Sequence, residues 1–429
     1  MEHLKTSKER KERWYSTQKP RFVEVKDISD TKEPYPEGID SHIYGIPCSF
    51  LNKDQDRRTL CDALETNGFA VITGVVSEFD CVRSLGMAWD YIEAASFAEA
   101  CCRQNSPTSA PVSRHNVESH SSNFFPHSLE GGFLPFYGSG YSYFAWDIRG
   151  HQNVRKVFEC LHGTSNLISS MDGVVLWHEK QPRTDAGWFH LDQNPVSKPG
   201  KCGIQGLVNL LPVSEASGGN VMVAKSHKKF PHHYCSDRRS NDSEKHFCSD
   251  FYEQRLKELG SEDWMEIDPN DEIILQNEAI VTCLLKPGDM IIWDSRTVHC
   301  SNRGYGDINR SGTNQNRLEE AAHGLIRAAT AVSMMPTDSV SSTILNRRVS
   351  AAKESRTMTH WTNQVTPLGQ ENLEGSRLEE RRIKFMKNYE RLTGKKALVN
   401  FDHLSRQELR LVQGQDANKD DDPQLLADS

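Results

Sequence analysis

Between Asp172 and about Met335 the chain breaks into short apolar runs, GVVLW, GIQGLVNLL, GNVMVA, IVTCLL, MIIWD and LIRAATAVSMM, separated by Gly, Pro and Asp turns. Their β-branched and aromatic content suits a pleated, half-buried surface. Many short strands at modest spacing read as a β-sandwich or barrel. The expected fold class is therefore mainly β with flanking helices.

The flanks supply the helices. A helix-like stretch, DRRTLCDALETN, turns at Asn67-Gly68 into a strand, Gly68-Phe69-Ala70-Val71-Ile72. Ser77, three residues before Asp80, then opens a mostly helical pattern like a capping box. Residues 104–145 are rich in Ser, Gly, Pro and aromatics without a period and read as a loop-rich cover, after which 150–168 return to a helical pattern. Residues 1–45 are charged, contain proline and lack a sustained period, so they are expected to be an extended arm. The expected division is this arm, a β domain with helical support over 46–370, a helical segment over 371–415 and an acidic, disordered tail over 416–429.

Trp188-Phe189-His190-Leu191-Asp192 sets an imidazole and a carboxylate two residues apart, so on a strand or at its end both face one side. Of the 17 histidines only His190 has an acid at the second position after it. Alone, such a pair is more often a surface polar pair. Further on, the Pro287-Gly288 turn precedes an apolar strand that delivers His299. Together His190, Asp192 and His299 make the two-histidine, one-carboxylate facial triad that leaves coordination positions open on iron(II). Near the ligands, Trp188, Gln193, Asn194, Trp293 and Arg296 are candidates for substrate contact, although aromatics there are more often core. Gln205, Leu207 and Asn209 alternate on one strand face, which makes Gln205 and Asn209 candidates for lining a cosubstrate pocket or, equally, an outward polar edge.

The chain resembles the phytanoyl-CoA dioxygenase family of iron/2-oxoglutarate oxygenases. The resemblance runs through NGFAVITGVV, WDIRGHQNVRKVFECLHGTSNL, the HLDQN metal strand, GLVNLLPVSEASGGNVMVAKSHKKF, KPGDMIIWDSRTVHCSN and LIRAATAVSMMP, roughly residues 60–336 in order. It implies a double-stranded β-helix core, a jelly-roll or cupin-like barrel. It also implies Fe(II), 2-oxoglutarate and O2 as cofactors and cosubstrates, with ascorbate as a supporting reductant. The outcome would be oxidation of a small organic or acyl substrate, usually hydroxylation, with release of succinate and CO2. The family pairs the distal carboxylate of 2-oxoglutarate with an arginine on the strand after the distal histidine, because a dianion in a low-dielectric pocket needs a cation. Arg310 stands nearer His299 but among turn residues. Arg327 stands within a β-like run and is preferred, with the intervening residues read as an insertion. Ser301 matches a family position that contacts 2-oxoglutarate. Two rivals remain at this stage: an inactive jelly-roll binding or scaffold protein, and a cupin-like protein using zinc or manganese.

Composition narrows the partners. A formal charge of −8, from 59 acidic against 51 basic residues, argues against nonspecific nucleic-acid or anionic-membrane binding and leaves a small-molecule substrate as the expected partner. Eleven cysteines without a CxxC pair fit a reducing compartment. The first residues lack an apolar signal core and no 18-residue apolar run occurs, so the expectation is a cytoplasmic protein that spans no membrane. Oligomeric state is not legible.

Overall fold

The computed structural model describes residues 20–30, 42–51, 54–103, 111–129, 132–181, 187–234, 250–260, 263–268, 271–272, 274–302, 304, 317–368 and 373–414. Arg310, most of the insertion that starts at Arg303 and the acidic tail 416–429 lie outside the described residues, as does much of the arm over 1–45.

The chain enters through β1 (Arg21–Asp27), β2 (His42–Pro47), α1 (Asp54–Asn67), β3 (Phe69–Thr73) and the long helix α2 (Glu78–Arg103). Then come β4 (Phe133–Leu134), α3 (Tyr143–Arg149), α4 (Gln152–His162), β5 (Leu167–Ser169) and β6 (Val174–His178). The strands β7 (His190–Leu191), β8 (Ile204–Asn209) and β9 (Asn220–Val223) follow, with α5 (Ser226–Tyr234) and α6 (Asp250–Glu258) before β10 (Met265–Glu266). Beyond them lie β11 (Ile280–Cys283), β12 (Met290–Asp294), β13 (His299–Ser301), α7 (Arg317–Ala322) and β14 (Leu325–Pro336). The described chain closes with α8 (Ser342–Lys353), α9 (Leu373–Thr393) and α10 (Arg406–Gln413).

Eight of these strands make two antiparallel layers, β7-β13-β9-β11 and β12-β8-β14-β6. Leu207, Ile291 and Ala329 from one layer share a buried cluster with Met222 and Val281 from the other, so the layers face each other across a common core. From β6 to β9, and again from β11 to β14, successive strands cross between the facing layers, which is the double-stranded β-helix. Alternation decides what enters it: Gln205, Leu207 and Asn209 share a face with Ile291 and Trp293 through the β8–β12 register.

The charged first segment contributes more than an arm. β1 pairs in parallel with β11 and β2, β2 pairs in parallel with β3, and β3 pairs with β12, so these strands bridge the two layers. Sequence reading misses β1 because only Val23 of its seven residues is buried. Backbone hydrogen bonds, not an apolar period, hold it in place.

Behind the β12-β8-β14-β6 layer lies α2, whose start is fixed by Ser77: its Oγ accepts from Asp80 N at 3.1 Å and donates to Asp80 Oδ2 at 2.6 Å. Leu85, Trp89, Tyr91, Ile92 and Ala95 are all buried, so apolar residues surround the helix, as expected for one that packs on α9, α7 and α3 and shares a buried cluster with Ile72, Val208, Ile292 and Val332 of the sheet. The Pro287-Gly288 turn needs its glycine, since Gly288 has φ +84° and an added Cβ would fall 1.9 Å from the Val76 carbonyl oxygen.

Between α2 and α9 a charged group is buried at a cost. Glu379 on α9 is 3% exposed; burial pushes its carboxyl up to about 7, against the Gly138 N–H that donates to it at 2.8 Å and the Arg382 guanidinium 3.8 Å away. The folded state thus holds this proton more tightly than the unfolded chain. Its contribution is fully favourable below about pH 4.5, declines as pH rises toward 7, and is flat above. Glu379→Gln, which keeps the oxygen facing Gly138, is expected to stabilise the fold by about 1–3 kcal/mol at pH 8 and by almost nothing at pH 4. Thermal unfolding at the two pH values checks this; an equal effect at both would place the cost elsewhere.

Candidate metal centre

His190 and His299 are direct cross-strand partners on β7 and β13, so strand pairing alone sets their imidazoles side by side, with ring centroids 4.4 Å apart. Asp192 follows β7 immediately. Its Oδ1 lies 3.5 Å from His190 Nε2 and its Oδ2 3.2 Å from His299 Nε2. One ligand atom from each of the three residues lies within 4.8 Å of the others, the spacing of a metal site and the one such group among the described residues.

Both rings are held in the same way. His190 Nδ1 donates to the Trp188 carbonyl at 2.9 Å and His299 Nδ1 to the Thr297 carbonyl at 3.0 Å. Each Nδ1 is therefore spoken for by the backbone two residues earlier, which leaves each Nε2 lone pair turned toward Asp192. Burial, reinforced by the neighbouring His299, brings His190 down to about 4 and keeps it neutral at physiological pH. Burial works to raise Asp192, but the His299 and His190 rings outweigh it and hold the carboxyl well below its ordinary value. A neutral imidazole beside a carboxylate is the donor set a divalent cation requires.

His299 reaches this place in two steps. The apolar strand β12 ends at Asp294 in one layer; a turn closed by Thr297 N donating to the Asp294 carbonyl at 2.8 Å carries the chain across to β13 in the other. Arg296, expected near substrate, is tied to this turn, with Nε and Nη2 on the two Asp294 carboxylate oxygens at 2.9 and 2.8 Å. Gln193 is a loop staple, donating to the Lys198 and Gly200 carbonyls. Asn194 accepts from Val196 N and Ser197 N at 2.9 and 3.0 Å in the same loop. Gln193 and Asn194 come just after Asp192 and Arg296 just before His299, and all three shape the turns beside the ligands.

Gln205 lies on the barrel's inner face, where its Nε2 donates to Asp192 Oδ2 at 3.0 Å and approaches Ser295 Oγ at 3.4 Å. It orients the carboxylate of the triad. Gln205→Leu is expected to weaken metal binding by about 10-fold while leaving the barrel folded, since the carboxylate loses its fixed donor. Metal titration of the variant checks this, and unchanged affinity would reduce Gln205 to a core residue.

Deeper in the barrel, Arg327 pairs with Trp177 across β14 and β6, one alternation beyond Ala329, the partner of both Val175 and Asn209. Val175 and Ala329 belong to the inner cluster, so Trp177, Arg327 and Asn209 point the same way. Arg327 is 3% exposed, and burial lowers its guanidinium to about 10, still charged at neutral pH. Trp177 Nε1, Asn209 Nδ2 and Trp293 Nε1 are buried N–H groups without a hydrogen-bond acceptor. An interior lined by donors and a cation fits an anionic ligand rather than an apolar one. Ser301 ends β13, half-buried, two residues beyond His299. Trp293 is buried with its ring 5.2 Å from His299, and Trp188 stacks on His190 at 4.1 Å.

Sequence reading did not single out Trp177, Ser295, Trp264 or His360. The alternation within GVVLW could have found Trp177. His360 lies after the last barrel strand, in irregular chain, with its ring 4.8 Å from Trp361; Trp361 in turn lies 3.2 Å from where a Gly203 Cβ would stand. No period marks such a residue.

With this geometry established, comparison with known sequences is decisive. The profile of the phytanoyl-CoA dioxygenase family matches residues 64–312, more than half of the chain. The chain belongs to the phytanoyl-CoA dioxygenase family. A curated relative, Ava biosynthesis cluster protein O of Aspergillus versicolor, is 30% identical over 190 residues, 42% of this chain. The match spans only 56% of that relative's length. Among solved structures, the epimerase SnoN in complex with Fe3+, alpha ketoglutarate and nogalamycin RO has a TM-score of 0.38 at 15% identity, covering 66% of this chain and 84% of that one. GIG2 of Candida albicans has a TM-score of 0.42 at 10% identity, covering 95% and 87%. The family match encloses His190, Asp192 and His299, while Arg327 lies beyond its end. Among the described residues, no helix of this family member is long and apolar enough to cross a membrane.

Proposed function

We propose that the protein is an Fe(II)- and 2-oxoglutarate-dependent dioxygenase that hydroxylates a small organic or acyl substrate and releases succinate and CO2. The observation that carries the reading is the triad itself, with two imidazoles whose Nδ1 atoms are anchored to backbone carbonyls and whose Nε2 atoms converge on one carboxylate. Family membership and the donor-lined interior support it.

His190, Asp192 and His299 would hold the iron, and a metal with three protein ligands keeps positions open for cosubstrate and dioxygen. Bound iron supplies the redox chemistry that couples decarboxylation of 2-oxoglutarate to oxidation of a C–H bond. The protein's own contribution is positional. Gln205 fixes the carboxylate ligand, Arg327 pairs with the distal carboxylate of the cosubstrate, and Asn209 and Ser301 offer polar contacts along it. Trp293 walls the site against water beside His299. The presence of Asp192, rather than a small residue at that position, favours hydroxylation over halogenation.

The cover over 104–145 and the insertion from Arg303 to about Gly324 are proposed to determine substrate choice, because loops on a rigid scaffold commonly do so. Deleting most of the insertion while keeping Arg327 should leave slow 2-oxoglutarate decarboxylation and weaken its coupling to substrate oxidation. A screen of metabolite pools with succinate as readout tests the function; unchanged coupling in the deletion variant would assign the insertion a peripheral place. A soluble intracellular setting is part of the same proposal.

A further inference from the structure

We propose that Trp188 is a positioning residue for the metal centre, the inner layer of a three-layer stack with Trp264 and Arg255 that fixes the plane of His190. The inference rests on the proposed metal-binding role of the triad and concerns how one ligand is held.

Both histidine ligands lie on short strands flanked on both sides. β13, which carries His299, lies between β9 and β7, and the two-residue β7, which carries His190, lies between β13 and β10. The two differ in what packs on the ring, and Trp188 holds that of His190 in two ways. Its carbonyl accepts from His190 Nδ1 at 2.9 Å, and its indole lies nearly parallel to the imidazole, with centroids 4.1 Å apart and planes 22° from coplanar. The hydrogen bond sets the tautomer and the stack sets the tilt. Among the described residues His299 has no such parallel partner, for Trp293 meets it at 5.2 Å and 51° and His190 at 4.4 Å and 50°.

Trp188 is itself braced. Trp264, immediately before β10, meets it edge to face at 5.1 Å and 63°, and β10 pairs with β7 through Glu266 and His190. The Arg255 guanidinium from α6 lies 5.0 Å from the Trp264 ring. Among the described residues its ion pair is to Glu258 and is long at 3.5 Å, while its Nε and Nη2 are buried without an acceptor there. The aromatic face is thus a principal partner of this cation. The stack runs from α6 to the imidazole, and its geometry makes Trp188 a support for a ligand more than a wall for substrate.

The test uses the full-length metal-free protein with manganese(II) and cobalt(II) as probes, so that no substrate and no turnover are needed. Trp188→Leu is expected to weaken manganese(II) binding by about 10-fold or more and to alter the visible spectrum of the cobalt(II)-loaded protein, as loss of a ligand's supporting partner does. Trp188→Phe, which preserves a flat ring on the imidazole, should stay within about 3-fold and restore the spectrum. Thermal unfolding of the metal-free variants controls for the fold. If Trp188→Leu unfolds early, Trp264→Leu, which leaves Trp188 and its carbonyl in place, should show a smaller loss in the same direction. Wild-type affinity and spectrum in Trp188→Leu, or in Trp264→Leu where that variant decides, would overturn the inference, as would equal impairment of the Leu and Phe variants. Failure of the metal-binding reading looks different: wild-type protein would bind neither ion, or His190→Ala would bind both as well as wild type, and the inference would fall with it.

Discussion

Replacing His190, Asp192 or His299 with alanine is expected to abolish metal-dependent turnover in each case, with metal affinity falling by at least about 100-fold. The three ligand atoms lie within 4.8 Å of one another, and each histidine has only its Nε2 available because the Trp188 and Thr297 carbonyls occupy the Nδ1 positions. Rotation of a ring to compensate would break one of those hydrogen bonds. Asp192 is the most demanding of the three. Its two oxygens face different histidines, and Gln205 donates to one of these oxygens, so its loss removes the negative charge from between the two rings and leaves the buried Gln205 amide only its 3.4 Å approach to Ser295 Oγ. The measurements are metal titration and succinate formation on variants that retain the wild-type unfolding temperature without metal. A variant that still forms succinate normally would remove its residue from the site.

Arg327→Ala should raise the 2-oxoglutarate requirement by at least about 10-fold while sparing metal binding, because breaking a desolvated charge pair costs on the order of 3 kcal/mol or more. Arg327 is buried on the same inner face as Gln205 and Asn209, on the strand that pairs with both β6 and β8, so its side chain is confined to the barrel. Arg327→Lys should recover little, since an ammonium cannot grip a carboxylate in bidentate fashion. Arg310→Ala should have little effect. The apparent 2-oxoglutarate affinity of the metal-loaded variants decides between the two arginines. The reverse ranking would mean that the insertion closes over the cosubstrate.

The strands that carry chemistry are the ones the sequence states most clearly. β8, β12 and β14 are buried on both faces because each is packed between the barrel interior and the helical layer, so they read as near-continuous apolar runs broken by Gln205, Asn209 and Arg327. The H-x-D spacing and the Pro-Gly turn before β12 were legible for the same reason: they are local. β1 was not, because its place depends on backbone pairing to β11, more than 250 residues away, and only one of its side chains is buried. The roles of Arg296, Gln193 and Asn194 were equally hidden. A polar residue beside a ligand can face the site or brace the turn, and only the actual partners, Asp294 and the carbonyls and amides of the 194–200 loop, show that these three brace turns. Trp264 and Arg255 lie far from His190 in sequence, and nothing local connects them to it.

The most direct test of the central claim is 2-oxoglutarate consumption by the full-length protein reconstituted with iron(II), with succinate measured in air and under nitrogen beside the Asp192→Ala variant. The account predicts succinate that requires iron, 2-oxoglutarate and dioxygen together, increases when a metabolite extract supplies the substrate, and vanishes in Asp192→Ala. Protein that carries one iron per chain, binds 2-oxoglutarate and still yields no succinate above the Asp192→Ala level, with or without extract, would contradict it.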